Sequence, residues 1–143
     1  MDVVHIHISY QPKPLIYHFA WGPMRLKPVL VGCIAERLAH LLIEKAEALD
    51  VGLRSLGIQP AFVYLMVEAP PTVSPHSIIC GLKSYSSSVL RREFKELTTI
   101  PTLWTREYLV AAGEGISAED LFSAFQSQVG PRRSPGRPRC TRP

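Results

Sequence analysis

Apolar residues recur along this chain with spacings that switch between those of strands and those of helices. Leu15 to Trp21 is rich in aromatic and β-branched side chains and follows Pro12 and Pro14, which favours a strand entered from an extended lead. After a Gly-Pro turn, apolar positions repeat at helical spacing over roughly residues 31–49, with charged side chains on the other faces. The pattern therefore predicts a strand followed by an amphipathic helix.

The rest of the chain continues this alternation. Residues 54–59 and 62–68 predict two strands joined by a tight turn, and the second is apolar on both faces and hence central. A second helix is predicted from about 75 to 94, behind a Ser-Pro start signal. Residues 104–112 resemble a last strand, and residues 117–128 a third helix opened by a capping serine.

The order β, α, β, β, α, β, α predicts an α+β fold. It is the split βαβ (ferredoxin-like, RRM-like) arrangement, an antiparallel sheet with helices on one face and an extra C-terminal helix. Phe62, Tyr64 and Met66 point to one face of the central strand and the intervening apolar residues to the other. The second sheet face therefore needs a cover, a partner subunit or a ligand.

Composition and charge narrow the class of protein. The 143 residues are 46% hydrophobic and 20% charged, which predicts one folded domain. The net charge is +4, but five arginines lie in the last dozen residues, and the remainder carries eleven Lys and Arg against twelve Asp and Glu, a net charge of −1. The Pro- and Arg-rich tail is expected to be disordered, and either adds non-specific phosphate contacts or is an inert solvated terminus.

Cysteines and apolar runs exclude other classes. Cys33, Cys80 and Cys140 are widely spaced and form no CxxC pair, so neither a disulfide framework nor a structural zinc site is indicated. No apolar run approaches the ~20 residues that cross a bilayer, and MDVVHIHISY has no secretory pattern. We expect a cytoplasmic protein without a membrane partner.

Four strings occur in an order that resembles one family. They are YHFAWGPMRLKPVL from Tyr17, VEAPPTVSPHSIICGLKSYSS from Val67, LWTREYLVAAGEGIS from Leu103, and the helix ending in Gln128. They resemble the single-tyrosine HUH transposases of small bacterial insertion sequences, the TnpA type. The resemblance implies a homodimer that binds single-stranded DNA hairpins, a His-hydrophobic-His pair for Mg²⁺ or Mn²⁺, and a tyrosine nucleophile on the last helix. It divides the chain into a lead (1–14), a DNA-binding domain (15–128) and a tail (129–143).

The sequence departs from the family at its chemical groups. Phe62 and Tyr64 stand at the positions of the two metal-binding histidines, Ala124 stands at the position of the tyrosine, and Gln128 keeps the family's metal-reaching glutamine. Alternate strand residues share a face, so two imidazoles at this spacing hold one ion. A phenyl ring cannot ligate and a neutral phenol is a poor substitute. No intact catalytic residue and no metal cofactor are therefore expected.

Other residues are candidates to replace the lost groups. His5-Ile6-His7 repeats the histidine spacing, but it precedes the first strand. His18 lies where the family also tends to have a histidine, and a packed strand histidine is the favoured interpretation. The remaining hydroxyl groups lack the base and acid pattern of a nucleophile or lie away from Gln128; they are Tyr85, Tyr108, Ser123 and Ser127.

Binding does not require the lost groups. The resemblance and the basic turns of the second helix nominate six cations for phosphate contacts; they are Arg25, Lys27, Lys83, Arg91, Arg92 and Lys95. The alternative is a solvated helix end whose cations favour the dipole. Phe62 and Tyr64 either form a base-stacking platform or fill space vacated by the metal and the tyrosine, and the second interpretation is favoured.

The sequence thus predicts a catalytically inactive, transposase-like protein that retains binding of DNA hairpins. Two further hypotheses stay open. One is an active metal-dependent nicking transposase with atypical ligands, and the other is an interaction protein that forms mixed dimers with an active relative. A relic without DNA affinity is the plainest version of the first hypothesis.

Overall fold

The computed structural model describes residues 13–129, with side chains as far as residue 127. Along the chain lie four strands and three α-helices, in the predicted order. They are β1 Leu15–Trp21, α1 Gly32–Ala48, β2 Gly52–Gln59, β3 Phe62–Ala69, α2 Pro75–Glu93, β4 Leu109–Ala112 and α3 Ala118–Val129. Two short 3₁₀ turns, Met24–Leu26 and Lys95–Thr99, follow β1 and α2. Ser74 caps α2 by accepting the Ser77 amide at 3.1 Å.

The four strands form one antiparallel sheet in the order β2-β3-β1-β4. This is the strand order of the split βαβ fold, so the predicted fold class is confirmed. The two central strands pair so that His18 lies opposite Met66 and Ala20 lies opposite Tyr64. The register brings these four side chains to the same face, because facing residues of an antiparallel pair share a side of the sheet.

The larger core lies between the sheet and the two long helices. Phe19, Trp21 and Leu65 point from the sheet into this layer and are fully buried against α1 and α2. Arg37 near the start of α1 binds Glu93 at the end of α2 through two hydrogen bonds of 2.9 and 3.0 Å. The two helices therefore run antiparallel across one sheet face.

The opposite sheet face is covered by α3. Phe62 and Tyr64 of β3, with Ala20 of β1, pack against Leu121 and Phe125 of the last helix, and all five are buried. Apolar side chains of the edge strand β4 and of the loop before α3 complete this layer. The cover that the sequence requires for this face is thus the C-terminal helix of the chain itself.

The last strand is shorter than predicted, because its first half is bound elsewhere. Trp104 forms only an isolated bridge to Pro23, and its indole N–H donates to the Lys83 carbonyl and the Ser86 hydroxyl of α2, both at 3.1 Å. The Thr105 amide donates to the Gly22 carbonyl at 3.0 Å. Residues 104–108 therefore link α2 to the end of β1, and β4 begins only at Leu109.

Several sequence features lie outside the described residues: the His5-Ile6-His7 string, Cys140 and the arginine tail. Within residues 13–129, none of the helices combines the length and the apolar character that a membrane span requires.

Gly22 provides a test of the close packing around the end of β1, where the turn after β2 and α3 both approach. A Cβ atom at this position would lie 2.8 Å from the carbonyl oxygen of Ala61 and 3.1 Å from a ring carbon of Phe125. We expect Gly22→Ala to lower the free energy of unfolding by about 1–3 kcal/mol, the usual cost of overpacking, in urea titrations. The control is Gly57→Ala, where the new methyl would meet Tyr64 only at an ordinary 3.9 Å. Equal stability of the two variants would contradict this packing.

Candidate functional site

The candidate site is the α3-facing cluster, formed by His18, Phe62 and Tyr64 on the sheet and by Phe122 and Phe125 on α3. Phe62 stands at the first family histidine position and is only 3% exposed. Its ring lies edge-on to Phe122 with 4.8 Å between centroids, and 5.8 Å from the centroid of Phe125. Edge-to-face aromatic packing at this separation is favourable. The space at this position is filled by side chains of the chain's own helix.

Tyr64, at the second family histidine position, is hydrogen-bonded to His18. The phenol oxygen lies 3.0 Å from Nδ1 of His18, and Nε2 of His18 lies 2.8 Å from the carbonyl oxygen of Gly113. A carbonyl only accepts, so Nε2 carries a proton; with a neutral imidazole the Tyr64 hydroxyl donates to Nδ1. His18 is 1% exposed, so this buried ring has a partner at each nitrogen. It is the packed strand histidine that the sequence favours.

Gly113 completes this arrangement from the loop between β4 and α3. Its φ of +111° is a backbone conformation open chiefly to glycine. In addition to accepting the bond from His18, Gly113 donates its amide to the Ile16 carbonyl at 3.0 Å. The loop that leads into α3 is therefore tied to β1 at two points.

The electrostatics of Tyr64 keep its hydroxyl protonated. Burial raises the pKa of the Tyr64 phenol above its usual value of 10.0, because the charged phenolate loses solvation. A phenol that stays neutral remains a hydrogen-bond donor to His18 and a poor metal ligand.

These residues do not fit the divalent ion of the family. Phe62 offers no donor atom, and the polar atoms of Tyr64 and His18 already bind one another and Gly113. Among the residues that the structure describes, no three or more His, Cys, Asp or Glu side chains form a group able to hold a metal ion. The side chain of Gln128 lies outside the described part.

The tyrosine position of the family lies on the outer side of α3. Ala124 is exposed, whereas Leu121 and Phe125 face the sheet and are buried. A side chain at position 124 therefore starts from the solvent side of the helix. The retained elements do not bring positions 62, 64 and 124 into one pocket in this conformation.

Phe62 and Tyr64 do not form an exposed platform on which nucleic-acid bases could stack. Tyr64 is 8% exposed, so a nucleic-acid base reaches either ring only if α3 leaves the sheet. The arrangement agrees with the space-filling interpretation.

The six nominated cations separate into two groups. Lys83 is 5% exposed, and its ammonium donates to the Thr105 carbonyl at 2.7 Å. Arg91 donates to the carbonyls of Ile100 and Pro101 at 3.1 and 3.0 Å. These two cations hold the segment after α2 in place. The other four are exposed and present their charge to solvent: Arg25, Lys27, Arg92 and Lys95.

Three of the four remaining hydroxyl groups, those of Tyr85, Tyr108 and Ser127, also have structural partners. Tyr85 donates to Glu44 of α1 at 3.2 Å, and Ser127 donates to the Ser123 carbonyl one turn back. Tyr108 lies 2.6 Å from a ring nitrogen of His76. The sequence interpretation missed this last contact and the bond between His18 and Tyr64, because both join residues far apart in the chain.

The family is shown by comparison with known proteins. The sequence pattern described as "Transposase IS200 like" matches residues 11–123. The chain belongs to this family of IS200-like transposases, and it is a transposase-like protein. No curated protein matches it significantly.

Solved structures share the fold. A proposed transposase from Deinococcus radiodurans R1 matches with a TM-score of 0.70 and 23% identity, over 90% of this chain and 95% of that one. A REP-associated tyrosine transposase bound to a REP hairpin matches with a TM-score of 0.52 and 12% identity, over 89% of this chain and 75% of that one. At these identities the likeness shows the fold alone.

The bond between Tyr64 and His18 predicts an effect on stability. Tyr64→Phe leaves a buried nitrogen acceptor unpaired, and we expect it to lower the free energy of unfolding at pH 7 by about 1–3 kcal/mol, measured by urea titration. The Tyr64 pKa is raised in the folded state above the ordinary value of 10.0. The stability that the protonated phenol contributes is therefore fully present below pH 10.0 and is lost as the pH rises through the folded-state pKa. The difference between wild type and variant should therefore shrink in alkaline solution.

The control for this experiment is Tyr17→Phe, which removes a half-buried phenol from β1 that makes no hydrogen bond within residues 13–127. A Tyr64→Phe variant as stable as this control at pH 7 would show that the buried bond contributes nothing.

Proposed function

We propose that this protein is a catalytically inactive member of its family that retains binding of single-stranded DNA hairpins. The observation that carries the proposal is the α3-facing cluster. Aromatic side chains fill the positions where the family binds metal, and α3 seals them from solvent. The proposed role is that of a binding protein without strand cleavage.

Loss of cleavage is supported by three independent features, two in the cluster and one on the outer side of α3. The first ligand position carries a phenyl ring, and the second carries a phenol bound to His18. The nucleophile position carries a methyl group that faces solvent. Metal-assisted transfer at a phosphate requires both an ion to polarise it and a nucleophile in line. Replacement of any one of these groups removes a necessary part.

Binding of DNA is supported by the exposed cations near one end of the sheet. Arg25 and Lys27 follow β1, where the Met24 amide donates to the Leu103 carbonyl at 2.8 Å. Arg91 binds the carbonyls of residues 100 and 101, so the end of α2 approaches the same segment. Arg92 and Lys95 lie beside it in the chain and are exposed. Exposed cations on either side of the segment 100–103 favour a nucleic-acid backbone through charge and counterion release.

The proposal that the ligand is a DNA hairpin and the proposal that the protein is a homodimer both rest on similarity to known proteins. One solved structure with this fold is named as a transposase bound to a hairpin, and the family resemblance implies a dimer. Sedimentation equilibrium of the full chain, with and without a hairpin, measures the mass directly, and a monomer in both samples would contradict the dimer.

A nicking assay tests the proposed inactivity. We expect no cleaved strand and no protein–DNA adduct on a denaturing gel when the full chain is incubated with single-stranded hairpins from the flanks of its gene, in Mg²⁺ or Mn²⁺. The triple variant Phe62→His, Tyr64→His, Ala124→Tyr restores the family's residue types. It should also fail to cut, because position 124 faces solvent and Phe122 and Phe125 cover position 62.

Circular dichroism of the triple variant establishes that it is folded before its activity is judged. An adduct formed by the wild type would overturn the proposed inactivity. Cleavage by the folded triple variant alone would show that α3 docks differently from this structure.

Fluorescence anisotropy tests the binding half of the proposal. We expect the full chain to bind a hairpin more tightly than an unstructured strand or a duplex, and to keep that preference at higher salt. Arg25→Gln with Lys27→Gln should weaken hairpin binding and lower the salt slope by about one for each lost phosphate contact.

The control for charge is Arg54→Gln, compared with Arg25→Gln alone so that each variant loses one cation. Arg54 is an exposed cation of β2 that pairs with Glu68 at 3.3 Å. Equal and weak binding to all three DNAs that disappears with salt would leave only non-specific attraction and would contradict hairpin recognition.

A further inference from the structure

A cysteine and a histidine lie side by side on α2, on the sheet face opposite the α3-facing cluster. Cys80 follows His76 by one helical turn, and its sulfur lies 3.4 Å from Nε2 of the imidazole. His76 is exposed and Cys80 is partly exposed, so both groups are open to a small molecule. Nothing in the proposed DNA-binding role uses either side chain.

A third residue orients the imidazole. Nδ1 of His76 lies 2.6 Å from the hydroxyl oxygen of Tyr108, just before β4. The sulfur of Cys80 lies beside the imidazole ring, nearer to Nε2 than to Nδ1, from which it is 3.9 Å away, whereas the tyrosine hydroxyl lies against Nδ1. A nucleophile, a base within hydrogen-bond reach and a group that orients the base are the arrangement of an activated nucleophile.

A cation lies on the same part of the helix. Lys83 follows Cys80 by three residues, a spacing at which side chains are neighbours on a helix surface. Its ammonium nitrogen lies 5.6 Å from the centroid of the Tyr108 ring and is held by the Thr105 carbonyl. A positive charge on the same helix face as a thiol favours the thiolate, which is the reactive form.

We propose that Cys80, His76 and Tyr108 form a reactive thiol site that is modified by low-molecular-weight disulfides. Cys80 is the nucleophile, His76 is the base, and Tyr108 is a positioning residue that holds the ring. The site is independent of the α3-facing cluster and of the exposed cations.

The reaction is a thiol–disulfide exchange. Nε2 of His76 takes the proton of Cys80, while Nδ1–H donates to the Tyr108 oxygen. The thiolate attacks one sulfur of the disulfide R–S–S–R, the S–S bond breaks, and a bond forms between Cys80 and that sulfur. The other sulfur leaves as a thiolate and receives the proton from His76. The Cys80 sulfur is oxidised and the departing sulfur is reduced, so no further oxidant is needed.

Cys33 provides the comparison within the same chain. It is an exposed cysteine near the start of α1, and among the described residues no imidazole lies within hydrogen-bond range of it. If exposure alone decided reactivity, Cys33 would be modified first, because it is the more exposed of the two. The proposal expects the opposite order.

The experiment uses two full-length variants that each keep one cysteine. Cys33→Ser with Cys140→Ser retains Cys80, and Cys80→Ser with Cys140→Ser retains Cys33. Alkylation by iodoacetamide is followed by mass spectrometry across a range of pH, and mixed-disulfide formation is followed with oxidised glutathione as the probe. Cys80 should react about tenfold faster than Cys33 at pH 7, as expected for a stabilised thiolate, and its rate should persist to lower pH.

Variants of the neighbouring residues separate activation from accessibility. In the chain that retains Cys80, His76→Gln should lower the rate to that of Cys33 and move its pH profile to the alkaline side. Tyr108→Phe should lower the rate less and move the profile in the same direction. His40→Gln, which removes an exposed histidine from α1, is the control and should leave the rate unchanged. Circular dichroism checks that each variant is folded.

Two results would overturn the proposal. The first is a Cys80 that reacts no faster than Cys33 at pH 7. The second is a fast Cys80 whose rate and pH profile are the same after His76→Gln, since the imidazole would then have no part in the reaction.

Discussion

The packing of α3 against β1 and β3 is the contact on which the rest of the structure depends. A four-stranded sheet with two apolar faces requires a cover on both sides, and α1 and α2 supply only one. Phe62 contacts the rings of both Phe122 and Phe125, and His18 binds the loop before α3 to the sheet. These contacts set the rotation of the helix, which in turn decides that position 124 faces solvent.

Much of this fold could be predicted from the sequence, because the apolar spacing is local information. The alternation of Phe62 to Val67 correctly indicates a central strand buried on both faces, and helical spacing gives α1 nearly to its ends. The predicted last strand is too long because residues 104–108 include two aromatic residues and a threonine, which are residue types that favour strands. Only the hydrogen bonds of Trp104 to α2 show why they leave the sheet, and no local pattern encodes these bonds.

Only those features of the candidate site that follow from resemblance to the family could be predicted from the sequence. The residue types at positions 62, 64 and 124 follow from the resemblance, whereas the bond between His18 and Tyr64 requires the register of two strands 46 residues apart. Lys83 illustrates the same limit. In the sequence it is one more cation on a helix, but in the structure the Thr105 carbonyl binds its ammonium under the 104–108 segment. Whether a lysine serves DNA or the fold depends on that tertiary contact.

The turn that carries the exposed Arg25 also packs the side chain of Leu26 against the buried core. Arg25 and Leu26 both have left-handed backbone angles, φ 57° and 52°, a conformation that costs non-glycine residues about 1–2 kcal/mol each. Leu26 packs in the layer beneath α3 and lies close to Gly22, as does Phe125. Among relatives, the residues at positions 22, 26 and 125 should consequently change together rather than singly. The position of the surface charge on Arg25 is thus constrained by the interior packing of its neighbour Leu26.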